Sequence, residues 1–559
     1  MKKTILSRSA ACLVAFLLTT VMARAEAFAE KLPTLIGSGQ KAEAVALVLE
    51  NPQEALSLFE KMENLALSGE GDPFFPALIL NFVARTYEAR LGDTSLRDRL
   101  LLAGMLAPET AWVGGPLEKV ETPQKSLVPE VEKALQAKLD LDIALRLGCY
   151  NDAIRTVSKL NTDSKDAKLL ELKAEGVISE LRASVSVGFF KGLQENGDEG
   201  LAFVRALSSG ESEELELEML LVLATGAKLA SQPEILRSRL KAAKALVAGR
   251  KGPAANRARF VIKSYEFELK SLQKGTISRE EIQRAHDEAW TEIPNFRFDY
   301  GRNWDPTLQA FRFWSTLLIE AGLTEPLQKD QERLNSLILE LSAANSSWEL
   351  FTGPILPVWF GLYDTQLDLV AALRGQNDND VAGSHLLTVE RGILDAKAIV
   401  GEIKLGDRSS CNPAQGSILR LQARFLEEKG LQLVAEGDNT AFQYLAKALD
   451  GYSVSGDLRS NVELSVLLIQ YMRLGRVETA KAVSVADQVI AVSRKTGYWP
   501  GLVRGLVLRA DLAGDEEAQK EAEELVEGYI SKLSPENPEF VRNQYLGFLP
   551  KLPPVEQGR

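Results

Sequence analysis

The sequence predicts an all-α fold, a right-handed α-solenoid of stacked antiparallel helix pairs. Three observations carry that expectation. Apolar residues recur at three- and four-residue spacing, as in Leu464, Leu467, Leu468, Tyr471 and Leu474, which gives each helix one face to bury. Period-two alternation, which a half-buried strand requires, appears only in fragments such as Ala183 to Val187. The breaks between periodic segments are short and rich in Gly, Pro, Asn and Asp, as in turns between antiparallel helices.

Taken from the N-terminus, Lys2, Lys3 and Arg8 precede the mostly apolar run Ala10 to Met22 and the small-x-small tripeptide Ala23-Arg24-Ala25. This is the pattern of a secretory leader over residues 1–25, cleaved before Glu26. The run of 13 residues falls short of the ~20 that span a bilayer as a helix. Most of it follows Cys12, whereas a lipid-bearing cysteine follows its apolar stretch. The expectation is an exported chain, periplasmic or secreted, with no membrane insertion after cleavage. Losing the four basic residues of the leader moves the formal charge from −12 to −16, which repels nucleic acid and anionic membrane surfaces. Apolar residues at 45% and charged residues at 25% describe an ordinary folded chain. Cleavage leaves Cys149 and Cys411, 262 positions apart. On a solenoid they meet only if it curls back on itself, so two separate thiols are the expectation, although the compartment permits a bridge.

Helix starts are legible at Asn51-Pro52, Asp72-Pro73 and Asp305-Pro306, each a capping side chain before a proline that suits the first helical position. Ser278 to Glu281 fits a capping box. Longer interruptions at 113–129, 291–305, 375–384 and 406–416 mark candidate boundaries. They divide the mature chain into a helical subdomain over 26–112, helical-hairpin repeats over 130–290, an aromatic-rich helical subdomain over 291–405 and further repeats over 415–532. Residues 533–559 hold Pro535, Pro538, Pro550, Pro553 and Pro554, which predicts an extended tail.

Within 415–532, helix, tight turn and helix recur with turn glycines at Gly437, Gly475 and Gly514, spaced 38 and 39 residues apart, a period belonging to α-solenoids. Leu426, Gly430, Leu433, Gly437-Asp438, Ala441, Leu445, Ala448 and Leu449, then Leu464, Leu467, Tyr471, Gly475 and Ala480, resemble tetratricopeptide repeats. An isolated echo stands at Gly148 to Ile154. The units are longer than that family's usual repeat, and most of residues 26–400 shows no match. The resemblance implies a helical-hairpin superhelix with a concave face that holds a protein or peptide partner. Members that grip a peptide carboxylate use Lys, Arg and Asn on that face; the corresponding positions in the second unit are Ser465, Ile469 and Met472, which argues against such a grip.

Other motifs carry little chemistry. Gly37-Ser38-Gly39 lacks the preceding strand that a dinucleotide-binding turn needs. Ser271-Leu272-Gln273-Lys274, Ser410-Cys411-Asn412 and Lys495-Thr496-Gly497 stand in the order of the penicillin-binding motifs. There the last must lie on a strand; here it ends a helix with Gly497 as C-cap. His286 and His385 read as structural, which argues against imidazole-based zinc, haem or triad chemistry, and no cofactor is expected. Acidic runs at 211–218 and 515–524 read as solvated helix faces.

Aromatic residues crowd between Trp290 and Tyr363, where Trp290, Trp304, Trp314, Trp348 and Trp359 are five of the chain's seven tryptophans. Arg302, Trp304 and Asp305 are the candidate partner-binding residues in the loop that opens this region, against the alternative of a buried junction between subdomains. The functional expectation is a noncatalytic envelope scaffold for a protein or peptide. Its rival is an α/α-toroid carbohydrate-active enzyme or glycan-binding protein, with Asp299 and Asp305 as acid/base candidates and Trp304 as sugar platform.

Overall fold

A computed structural model describes residues 27–36, 40–68, 74–102, 129–146, 149, 153, 155–157, 160, 167–207, 212–293, 305–343, 355–375, 378–401, 416–438, 440–474 and 479–547. They hold helices and turns and no strand. After a helical stretch over 27–36 come α1 (Lys41–Glu50), α2 (Pro52–Ser68), α3 (Phe74–Thr86) continuing into a π turn at Tyr87–Leu91, α4 (Ser95–Leu102) and α5 (Pro129–Arg146). The centre is α6 (Ala167–Val187), α7 (Leu193–Arg205), α8 (Ser212–Leu229), α9 (Pro233–Val247), α10 (Pro253–Lys274), α11 (Arg279–Trp290), α12 (Asp305–Glu320), α13 (Thr324–Ala343), α14 (Ile355–Gly375) and α15 (Asn379–Gly401). Three helix pairs and a last short helix close the described chain: α16 (Ser417–Ala435), α17 (Ala441–Ser455), α18 (Leu458–Leu474), α19 (Thr479–Thr496), α20 (Trp499–Ala513), α21 (Glu516–Leu533) and α22 (Pro538–Tyr545).

This is an all-α solenoid of stacked helix pairs. The even-numbered helices form one layer: α6 packs on α8, α8 on α10, α10 on α12, α12 on α14, α14 on α16, and α18 on α20. The odd-numbered helices from α7 to α19 pack chiefly on their sequence neighbours. Direct contact along only one layer means that layer lies on the inside of the curve. One set of buried apolar side chains runs from Phe28 to Leu508, and a second joins Ile490, Val503 and Leu506 to Val526, Tyr529 and Tyr545. No helix of the described residues is long and apolar enough to cross a membrane.

Local signals act as the sequence predicts. Ser278 accepts the Glu281 N–H at 3.2 Å and starts α11. Leu458–Leu474 is helical with Leu464 buried. Gly437 and Gly514 adopt φ of 76° and 65° at the hairpin turns, values that L side chains avoid. In the repeat-like region, α16, α18 and α20 begin at 417, 458 and 499. Gly430 lets α16 and α17 close on each other, since a Cβ there would sit 2.8 Å from Leu445 Cδ2.

The solenoid curls back. The N–H groups of Phe190 and Lys191 donate to Thr496 O at 2.7 and 2.8 Å, and the rings of Phe190 and Tyr498 meet. Gly188 lies so close to Arg459 that a Cβ would be 2.6 Å from the arginine Cβ. Farther round, Arg237 donates to Lys532 O and Leu533 O at 3.0 and 2.7 Å, Gln273 Nε2 donates to Leu533 O at 3.1 Å, and Glu536 N donates to Gln273 O at 2.7 Å. The later hairpins thus rest on the C-terminal ends of α6 and α10 and the start of α9.

Two expectations are corrected. Cys149 is disulfide-bonded; both other cysteines, Cys12 and Cys411, lie outside the described residues. The case for separate thiols assumed a solenoid that does not return on itself, and this one does. Nor is the tail wholly extended. Asn537 caps Phe540 N at 3.2 Å, Pro538 takes the first position of α22, and Tyr545 is buried in a trio with Trp499 and Tyr529 at ring distances of 4.7 to 5.5 Å.

Gly497 stands at the closure with φ 74°, where a Cβ would lie 2.9 Å from Lys191 N. Gly497→Ala is expected to cost about 1–3 kcal/mol in urea denaturation and to speed amide exchange at Phe190 and Lys191 while leaving α14 unaffected. A stability loss with no change at those two amides would contradict this account of the closure.

Candidate functional site

The candidate residues of the aromatic loop fall at the edge of what is described. Arg302 and Trp304 lie outside the described residues, as does Asp299; Asp305 is the first residue of α12. The described remainder of the aromatic region is core. Trp290, Phe311 and Trp314 are buried; Trp314 Nε1 donates to Ser264 Oγ at 2.7 Å and its ring stacks on Phe267 at 5.2 Å. His286 is buried in the same packing, with Nε2 2.9 Å from Asp330 Oδ2, and so ties α11 to α13. His385 is half-buried, and burial lowers its pKa.

A different cluster commands the inner layer. On α12, Arg312 reaches α14, with Nη1 3.2 Å from Asp364 Oδ2 and Nη2 3.0 Å from Asp368 Oδ1. From α16, Arg424 donates to the same Asp368 Oδ1 at 2.7 Å. Arg374 of α14 returns the contact, donating to Glu428 Oε2 at 2.6 Å. The next carboxylate, Glu427, accepts from Tyr452 of α17 at 2.5 Å. On α18, Glu463 accepts from Tyr498 and Arg504. The seam therefore crosses α12, α14, α16 and the hairpins beyond, with charges held across helices by opposite charges, and Glu427 by the Tyr452 phenol. Positions four apart, such as Asp364 with Asp368 and Arg420 with Arg424, lie one turn apart on a single face, which is why a row of them follows the inner curve.

Electrostatics in the seam are set by burial and by the pairing. Burial works to raise the Asp364 pKa, but the guanidinium groups of Arg312, Arg424, Arg420 and Arg459 hold it below its ordinary value. Burial disfavours the charge on Arg424, but Asp368, Tyr452, Glu427 and Asp364 together outweigh it, so the guanidinium stays firmly charged. Burial likewise pushes the Tyr452 phenol far up, with the Glu427 charge adding to it. Glu427 is the exception. Burial lifts its pKa from 4.5 to about 7, Arg424 opposes the rise, Glu428 and Glu463 add to it, and the Tyr452 hydrogen bond opposes it.

What this arrangement does is lock helix register: a guanidinium shared between two carboxylates on an adjacent helix fixes both rotation and translation. Among the described residues no group of three or more His, Cys, Asp or Glu side chains is placed to hold a metal ion. Ser465 and Ile469 are buried, and Met472 packs against the core, so those positions offer no carboxylate grip. The motif at Lys495-Thr496-Gly497 ends α19 and sits on the closure. Sequence reasoning missed the seam; its signal was charged pairs at four-residue spacing within otherwise apolar helices.

A carboxyl group whose folded pKa lies above its unfolded one stabilises the fold in its protonated form. That contribution is complete below the ordinary value of 4.5 and is lost as pH rises through about 7. The urea midpoint is therefore expected to fall between about pH 5 and about pH 8, and Glu427→Gln should flatten the decline. A variant whose pH profile matches the parent would remove Glu427 as the titrating group.

No family model matches the chain, and no curated protein matches it. Among solved structures it is similar to a "Circular tandem repeat protein with novel repeat topology and enhanced subunit contact surfaces", at 16% identity and TM-score 0.22 over 94% of this chain and 98% of that one. It is also similar to a chain of "Structure of Naa15/Naa10 bound to HypK-THB", at 11% identity and TM-score 0.17 over 94% of this chain and all of that one. At those TM-scores neither likeness carries an argument beyond the helical repeats already described.

Proposed function

We propose that the chain is an exported, noncatalytic interaction scaffold that holds a protein or peptide partner in the bacterial cell envelope. The observation that supports this most is the seam itself. Asp364, Asp368, Glu428 and Glu463 each sit in ion pairs with arginine, so the inner charges hold the repeats in register. The outer hairpins meanwhile leave apolar side chains in solvent: Phe442 and Val454 on α17 are 51% and 59% exposed. Large apolar groups held out by a rigid stack are contact points for another protein.

Export is supported by the leader-like first 25 residues and by the disulfide at Cys149, since such bonds persist in oxidising compartments. The mature chain is expected to begin at Glu26 and to yield one cross-linked peptide pair, Cys149 with Cys411, in mass spectrometry without reductant. Recovery of both as free thiols, or an uncleaved N-terminus, would contradict export.

The partner reading is tested by in-cell cross-linking of the full-length tagged chain. A near-stoichiometric envelope protein, lost with Phe442→Ser and Val454→Ser, is the expected result. Retention of the chain on a polysaccharide column, abolished by Trp304→Ala and with no protein captured, would replace the scaffold with the glycan-directed alternative.

A further inference from the structure

The two most exposed large apolar side chains among the described residues stand on one helix: Leu387 at 63% and Leu394 at 60%, both on α15. Seven positions apart, they lie almost in line along the helix surface. Asp380, Ser384 and Arg391 share that exposed face, and Val381, 43% exposed, borders it. At 23 residues the helix is about 35 Å long. The opposite face is core, where Ala382, Leu386, Val389, Ile393 and Ala396 are buried. The rest of the fold thus fixes α15 in place and turns this stripe outward.

The charges on the stripe indicate what covers it. The midpoint between Leu387 and Leu394 falls between Glu390 and Arg391, so an antiparallel copy of the helix places Leu387 against Leu394 and Arg391 against Glu390, twice over. Neither Glu390 nor Arg391 meets an opposite charge among the described residues. A two-fold interface demands this self-complementarity, because each side must present the same patch. We propose that α15 is a homodimerisation helix, packing antiparallel on α15 of a second copy with two leucine contacts flanked by two Arg391–Glu390 pairs.

The experiment is sedimentation equilibrium of the mature chain at ~50 µM, a concentration suited to an interface of modest size. A dimer is expected, weakened at least about tenfold by Arg391→Glu, which sets like charges opposite each other. The double variant Glu390→Arg with Arg391→Glu should restore association to within about threefold of the parent, since the pairing is only inverted. Leu387→Lys with Leu394→Lys should leave a monomer. Leu387, Arg391 and Leu394 are exposed and Glu390 is half-buried beside them, so an unchanged circular dichroism spectrum and urea midpoint check that each variant folds. A parent chain that stays monomeric, a dimer indifferent to the leucine changes, or a double variant no better than the single one would each overturn the proposal.

Discussion

Everything downstream of α6 depends on the return of the late hairpins onto the ends of the early helices. Arg237 and Lys532 are joined although they stand 295 positions apart, and the carbonyl of Thr496 takes two N–H bonds from the loop after α6. These are ordinary hydrogen bonds, individually modest. Their importance is geometric. A stack of hairpins is soft along its length because each repeat touches only its neighbours; tying one turn to the next removes that softness.

The charged seam follows from the same curvature. When an inner layer bends tightly, its side chains converge, and long residues that would be solvated on a straight stack lose water. Desolvation of several charges is costly unless each finds a partner. The seam answers with shared guanidinium groups, as Asp368 shows by binding both Arg312 and Arg424. Glu427 is buried with a phenol, Arg424 on its own helix and two like-charged neighbours, and its raised pKa records that burial outweighs the arginine.

Much of the fold was legible because helix signals are local. Three- and four-residue spacing, the Ser278 cap and the turn glycines Gly437 and Gly514 each act within one or two turns, and the structure places helices and turns there as they predict; Gly475 and Asp72-Pro73 lie outside the described residues. Closure was not legible, since no local pattern marks Phe190 as the neighbour of Thr496. The error about Cys149 came from that gap. The proline-rich tail misled for a related reason: Pro538 reads as a breaker, yet with Asn537 before it the same residue starts α22. For the site, the aromatic residues drew attention because they are rare and large, and those described turn out to fill the core. The residues that organise the inner curve, Asp364, Asp368 and Arg424, looked like the common charged residues of any helix.

The clasp at Leu533 also has a consequence for the order in which the molecule assembles. Contacts between adjacent hairpins close short loops and form early, whereas Gln273 and Leu533, 260 positions apart, belong to the high-contact-order part of the structure, whose loop-closure entropy must be met late. Repeats can therefore stack one after another as chain becomes available; the first latch arrives with Thr496 at the end of α19, and the second waits for Leu533 at the end of the last long helix. Until Thr496 is in place the molecule is an open spring with its early coils already formed.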